Sequence, residues 1–209
     1  GANTNKFFPI KQQECRSKLN LPPNNYYMVF TGRFYDHHGI IEFLNIIPKV
    51  LQQNSRIKFI LIGDGNVKMH AEKQAEFLGI KDSVLFPGEI AHDLISIYLN
   101  AADFCLMFIV GKNHNLLSPI KLFEYWACSV PVITNRGSNI AKLVKKLNAG
   151  LIIDLDNPEK SANAIVHLLN DEHARKTMGE NGKIFVLNHC TWEKTAQKIE
   201  KICKNTISK

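Results

Sequence analysis

At 209 residues, 45% hydrophobic and 22% charged, the chain has the apolar content to bury a core of its own, which excludes a disordered polymer. A net charge of +7 and a pI of about 9.1 favour anionic partners: nucleotide phosphates, an acidic membrane surface or nucleic acid. Five cysteines (Cys15, Cys105, Cys128, Cys190 and Cys203) form no Cys-x-x-Cys pair, which argues against zinc and a disulfide framework and for reduced cytosolic thiols.

Along the chain, short apolar runs alternate with helical patterns. The runs fall at residues 26–31, 57–62, 84–86, 104–109, 132–134 and 151–153. They carry few polar residues and read as strands buried on both faces of a parallel sheet. Helical periodicity predicts helices over 40–53, 67–78, 93–100, 119–127 and 140–147, then three closing helices over 158–169, 173–188 and 192–205. Strict alternation means right-handed crossovers and a doubly wound, Rossmann-like α/β sheet. No repeat, low-complexity tract or linker divides it. The longest apolar run, residues 104–110, is too short to cross a bilayer, and no signal peptide is visible.

Ligands of such sheets bind beyond the carboxyl ends of the strands. Thr31-Gly32-Arg33 leaves the first strand, and Arg33 beside a glycine turn suits a phosphate clamp, the plainer reading being a surface salt bridge. His38 opens the following helix, where free amides and the helix dipole favour anions; the plainer reading is an exposed histidine. Gly63-Asp64-Gly65 leaves the second strand and invites a dinucleotide reading. Lys68 stands where the third glycine belongs and no Walker sequence exists, which excludes a dehydrogenase and a P-loop NTPase. The lysines are dispersed and not interleaved with aromatics, so nucleic acid is the weakest partner. His37 and His38 are adjacent and offer no metal-ligand spacing.

The richest segment is Ser118-Pro119-Ile120-Lys121-Leu122-Phe123-Glu124-Tyr125-Trp126-Ala127. Ser118 suits an N-cap and Pro119 the first helical position, leaving first-turn amides free for an anion. Three and four residues from Glu124 lie Lys121, Ile120, Ala127 and Cys128, of which only Lys121 is clearly polar. A carboxylate beside an apolar face wants a partner: Lys121 in the plain reading, a ribose diol in the functional one.

These loops, taken together, resemble the C-terminal, donor-binding domain of group 1 glycosyltransferases of the GT-B fold. Gly1-Ala2-Asn3 with Phe7 resembles the family's crossing between domains, and Gly32-Arg33 with Gly39 its phosphate loop. Gly63-Asp64-Gly65, Phe86-Pro87-Gly88, Tyr98, Ala102-Asp103, Met178-Gly179, Gly182 and Trp192 are further waymarks. The most specific match is Phe123-Glu124-Tyr125-Trp126-Ala127 followed by Pro131-Val132-Ile133.

The resemblance implies one half of a retaining enzyme that moves a sugar from a nucleotide diphosphate, linked to uracil or guanine, to a glycan, lipid or other acceptor. Arg33 and Glu124 are its implied catalytic residues. Arg33 would neutralise the diphosphate, amides near Ser118 and Ile120 would hold it, Glu124 would bind the ribose, and backbone near Ile90 would face the base. His38 and Gly65 complete the implied donor set, with no metal and no cofactor. Three departures stand out: His38 replaces the family's lysine, Leu116 replaces a first glutamate, and Gly137-Ser138-Asn139-Ile140-Ala141 replaces a Gly-Gly-x-x-Glu.

Residues 1–9 are expected to be part of the crossing, 10–190 the nucleotide-sugar domain, and 191–209 a helix returning toward an N-terminal, acceptor-binding domain. The expected location is cytoplasmic, with peripheral contact to an anionic inner membrane face as a further option. A non-catalytic nucleotide-binding or scaffold module and a nucleotide-sugar epimerase of the same fold are the alternatives.

Overall fold

The computed structural model describes residues 1–111 and 119–207. Its elements run α1 (Gln12–Lys18), β1 (Tyr26–Thr31), α2 (Ile40–Leu44), α3 (Ile47–Gln53), β2 (Ile57–Ile62), α4 (Lys68–Phe77), β3 (Val84–Gly88), α5 (His92–Ala101) and β4 (Phe104–Leu106). There follow α6 (Ile120–Ala127), β5 (Val132–Asn135), α7 (Asn139–Leu147), β6 (Gly150–Ile153), α8 (Pro158–Asn170), α9 (Glu172–His189) and α10 (Trp192–Ile207). Short 3-10 turns lie at Asp36–His38 and Lys81–Ser83.

All six strands are parallel, in the order β3-β2-β1-β4-β5-β6. Successive side chains on a strand point to opposite faces, so each strand feeds two cores. Met28, Phe30, Phe59, Leu61 and Phe104 face one layer, packed with Phe43, Ile47, Ala71 and Ile165 from α2, α3, α4 and α8. Tyr27, Val29, Ile60, Ile62 and Cys105 face the other, with Leu99 of α5, Leu122, Tyr125 and Trp126 of α6, Val144 of α7 and Val186 of α9. The doubly wound parallel sheet expected from the alternation is what forms. Strand order reverses between β1 and β4, and the described parts of the βα loops lie at the carboxyl edge beside that reversal.

The differences from expectation have local causes. The helix expected over 40–53 is broken into α2 and α3, because Pro48 lacks an N–H and its ring would meet the carbonyl of Leu44 in a continuous helix. The fourth strand ends at Leu106 instead of 109; farther on, the Asn135 side chain bridges Ile109, donating from Nδ2 to its carbonyl and accepting its N–H, both at 2.8 Å. Helix α1 carries no apolar stripe; it is held by buried Arg16, which pairs with Asp103 at 2.7 Å.

The first residues lie along the start of α10. The Ala2 N–H donates to Cys190 O at 2.7 Å, and the Trp192 N–H donates to Ala2 O at 3.3 Å. Ala2 and Phe7 are buried, so the segment expected as a crossing is packed onto the body. Trp192, Ile199 and Ile202 of α10 are exposed. No helix among the described residues is long and apolar enough to cross a membrane.

Candidate functional site

At the carboxyl edge, a cavity of about 260 Å³ is lined by Gly32 and Arg33 after β1, Ile62, Gly63 and Asp64 at the end of β2, Glu89 and Ile90 after β3, and Ile95 of α5. Two expected donor contacts, Arg33 and Ile90, are therefore brought together. The Arg33 guanidinium rests 3.3 Å from Glu89 across this opening, with both side chains exposed. An exposed pair of this kind holds weakly and is easily exchanged for an incoming anion.

Gly65 does not line this cavity. Its N–H donates to the Asp64 side chain at 2.7 Å, and its backbone packs against Phe34. That hydrogen bond, ahead of the nearby Lys68 ammonium, holds the Asp64 carboxyl below its usual range. The Gly65 amide is thus engaged by the neighbouring Asp64 carboxylate.

Helix α6 starts one residue later than expected. Pro119 is its N-cap, not its first helical residue, and a proline offers no capping oxygen. The first-turn amides, among them those of Ile120 and Lys121, have no intrahelical acceptor. Ser118 and Leu116 lie outside the described residues.

Glu124 is half-buried on α6, and no hydrogen bond or ion pair reaches its carboxylate among the described residues. Burial pushes its pKa up, opposed first by the charge of Lys121 and then by that of Lys6. Lys6 itself is engaged, donating to Asp93 at 2.5 Å and meeting the His92 ring. Lys121, the partner of the plainer reading, does not pair with Glu124. Its side chain passes over the end of β1, and its Nζ lies 4.8 Å from the centre of the Phe30 ring.

Tyr125, which sequence reasoning treated only as part of a motif, ties α6 to β1. Its hydroxyl accepts from the Thr31 N–H at 3.2 Å and meets Thr31 Oγ1 at 3.0 Å. Strand β4 pairs with β1 only at Met28 and Val29, so this hydroxyl takes over where the ladder stops. It thereby fixes the Gly32-Arg33 turn against the Glu124 helix. The Tyr after Glu124 was the signal, but its partner became visible only in three dimensions.

The expectation for His38 needs correcting. It ends the 3-10 turn Asp36–His38, with Gly39 between it and α2, and so does not open a helix. Its Nδ1 hydrogen-bonds the Arg33 carbonyl, which must be the acceptor. Burial first, then the Lys121 charge, lowers its pKa to about 4. The ring is neutral near pH 7, and with its one proton on Nδ1 it presents Nε2 as a bare acceptor. In this state it carries no positive charge of the kind a lysine would bring.

A cavity of about 300 Å³ at the opposite, amino edge is lined by Arg16, Asp103 and Arg175 among others. Its charges are already used: Arg16 binds Asp103, Asp103 accepts the Tyr27 N–H at 2.8 Å, and Arg175 donates to the end of α8. It is a structural network. No group of three or more His, Cys, Asp or Glu among the described residues could hold a metal ion.

A profile of the group 1 glycosyl transferases matches residues 11–185. The chain belongs to this family. An uncharacterised glycosyltransferase of Methanocaldococcus jannaschii is 27% identical over 177 residues, covering 83% of this chain and 46% of that protein. A lipopolysaccharide core biosynthesis glycosyltransferase of Rhizobium meliloti is 26% identical, covering 80% and 46%. Among solved structures, sucrose-phosphate synthase of Thermosynechococcus elongatus superposes with a TM-score of 0.83 at 23% identity, over 100% of this chain and 51% of that one. HepE of Anabaena, solved with UDP and glucose, gives 0.82 at 18%, over 97% and 54%. The C-terminal domain of the Francisella tularensis group 1 protein LpcC gives 0.76 at 19%, over 92% of this chain and 100% of that one. The chain thus spans about half the length of the curated relatives it matches, and its Rossmann-like fold is shared with GT-B glycosyltransferases. The family and fold drawn from the motifs both hold.

Proposed function

We propose that these residues form the donor-binding half of a retaining glycosyltransferase that uses a nucleotide-diphosphate sugar. The observation that carries this reading is Glu124, a half-buried carboxylate with no partner among the described residues, on the helix that follows the strand-order reversal. A ribose diol would satisfy it with two charge-assisted hydrogen bonds. Arg33 would leave Glu89 for the diphosphate, and the cavity wall at Ile90 would take the base.

In the transfer, the bond from the anomeric carbon to the diphosphate oxygen breaks. An acceptor hydroxyl bonds to that carbon and gives up its proton to the departing diphosphate oxygen. Charge builds on the departing diphosphate, so fixed positive groups and helix amides supply most of the stabilisation. No step in this scheme calls for a metal.

The acceptor would bind on a second domain, against which exposed Trp192, Ile199 and Ile202 of α10 would pack. Their spacing puts them along one side of the helix. That HepE was solved with UDP supports a nucleotide donor here, with uracil and guanine both admitted. A lipid-linked acceptor at an anionic cytoplasmic membrane face would suit the net charge of +7.

Calorimetric titration of UDP, GDP and ADP tests the reading. One of the first two should bind clearly and more tightly than ADP. Absence of binding by all three would favour a scaffold module instead.

A further inference from the structure

Lys121 carries a charge in a place that disfavours one. It lies in the first turn of α6, at the positive end of the helix dipole, where anions are stabilised and cations are not. Helix α6 packs on the Tyr27 and Val29 face of the sheet, whereas Phe30 belongs to the other face. The Lys121 side chain therefore crosses the carboxyl end of β1 to reach the Phe30 ring. Gly32 makes the crossing possible: a Cβ there would lie 2.6 Å from Nζ and 3.2 Å from Cδ of Lys121.

Among the described residues, no ion pair neutralises this ammonium. It has no hydrogen bond or ion pair among the described residues, and Glu124 is the carboxylate that acts on it, through space. Residues 112–118, which lead into α6, contain no Asp or Glu and add Lys112 and His114. The Phe30 ring offsets part of the lost hydration. Burial still lowers the Lys121 pKa to about 8, so the ammonium remains mostly charged at neutral pH. A shielded cation without a counter-ion is costly unless a ligand supplies the anion.

We propose that Lys121 is the cation that grips the diphosphate of the nucleotide donor, acting from α6 in place of the lysine that His38 replaces. The assignment rests on the donor-domain reading and adds to it the residue on which recognition of the diphosphate, as against the nucleoside, depends. Lys121 brings its charge from the first turn of α6, whose leading amides lack intrahelical acceptors, to the Gly32 position, next in sequence to Arg33. His38, beside it and neutral, adds no competing charge.

The test compares the 209-residue chain with Lys121→Met and Lys121→Gln, measuring calorimetric affinities for UDP, uridine, GDP and guanosine together with melting temperatures. Both variants should lose about tenfold or more in affinity for the preferred diphosphate, the size expected for a charged hydrogen bond. Affinity for the matching nucleoside should stay within about twofold, since a phosphate contact does not touch the base. The melting temperature of Lys121→Met should equal or exceed the parent's, because an unpaired charge has been removed. Unchanged diphosphate affinity, an equal loss for diphosphate and nucleoside, or lowered melting temperatures in both variants would overturn the assignment and leave the donor-domain reading standing. A parent chain that binds none of the four ligands would overturn both.

Discussion

At Glu124 the functional and structural readings make different predictions. If its carboxylate receives the ribose hydroxyls, Glu124→Ala should weaken nucleoside diphosphate binding by about 1–3 kcal/mol, read by calorimetry, with melting unchanged or slightly raised. An ion-pairing glutamate would instead lower stability and leave affinity alone. The sequence signalled this residue because its helical neighbours are apolar, and the structure leaves it half-buried without a described partner. His38 was not legible in the same way. Its charge state depends first on burial, then on Lys121, which is 83 residues away and arrives only through the fold, with the Arg33 carbonyl opposing both. Its folded pKa of about 4 lies below the unfolded value of about 6.5. The unfolded chain thus binds more protons between those values, so stability is fully present above about pH 6.5 and is lost as pH falls toward 4. His38→Asn should flatten that part of the stability–pH curve in chemical denaturation. A parallel curve for parent and variant would remove the histidine from the linkage. Lys121 shows a third kind of illegibility: its spacing suggested an ion pair with Glu124, but its place at a helix N-terminus sends the side chain across the strand end instead.

Among the elements, α6 positions the site, and α9 holds α6 in place. Gly182 of α9 lies against the Trp126 ring so closely that a Cβ would be 2.4 Å from its Cγ and Cδ1. Trp126 is fully buried, and its indole N–H donates to the Ala149 carbonyl at 3.0 Å, so the ring cannot yield. Gly→Ala in a helix interior ordinarily gains up to about 1 kcal/mol in propensity. Here overpacking of about 1–3 kcal/mol should outweigh it and lower the melting temperature of Gly182→Ala. A melting temperature equal to or above the parent's would show that the α6–α9 contact tolerates a methyl. The strands were the most legible elements, because runs buried on both faces have few polar interruptions, Lys58 of β2 being one; β1 and β2 fall where the apolar runs predict. Helix α1 was not, since Gln12–Lys18 has no apolar period and depends on the Arg16–Asp103 pair from a distant segment. The break between α2 and α3 was readable in principle from Pro48.

For the whole molecule, α/β alternation was enough to predict a doubly wound sheet, and the order β3-β2-β1-β4-β5-β6 puts the strand-order reversal at the loops that the motifs had marked. What sequence could not give is which loop residues converge, since that is set by side chains such as Tyr125 that span elements. Because reaction requires donor and acceptor held together, these 209 residues alone should bind nucleotide yet transfer no sugar in a product assay; robust transfer would place the acceptor site within them. On the proposed reading, the donor binds at the carboxyl edge, between the β1 turn and α6. Titrating UDP and GDP into the uniformly ¹⁵N-labelled chain and following backbone amide shifts tests it most directly. Shifts should concentrate at Gly32, Arg33, Asp64, Ile90 and the amides from Ile120 to Glu124, with Arg16, Asp103 and Arg175 unmoved. Shifts concentrated at the amino edge around Arg16, Asp103 and Arg175, with the β1 turn and α6 silent, would contradict it.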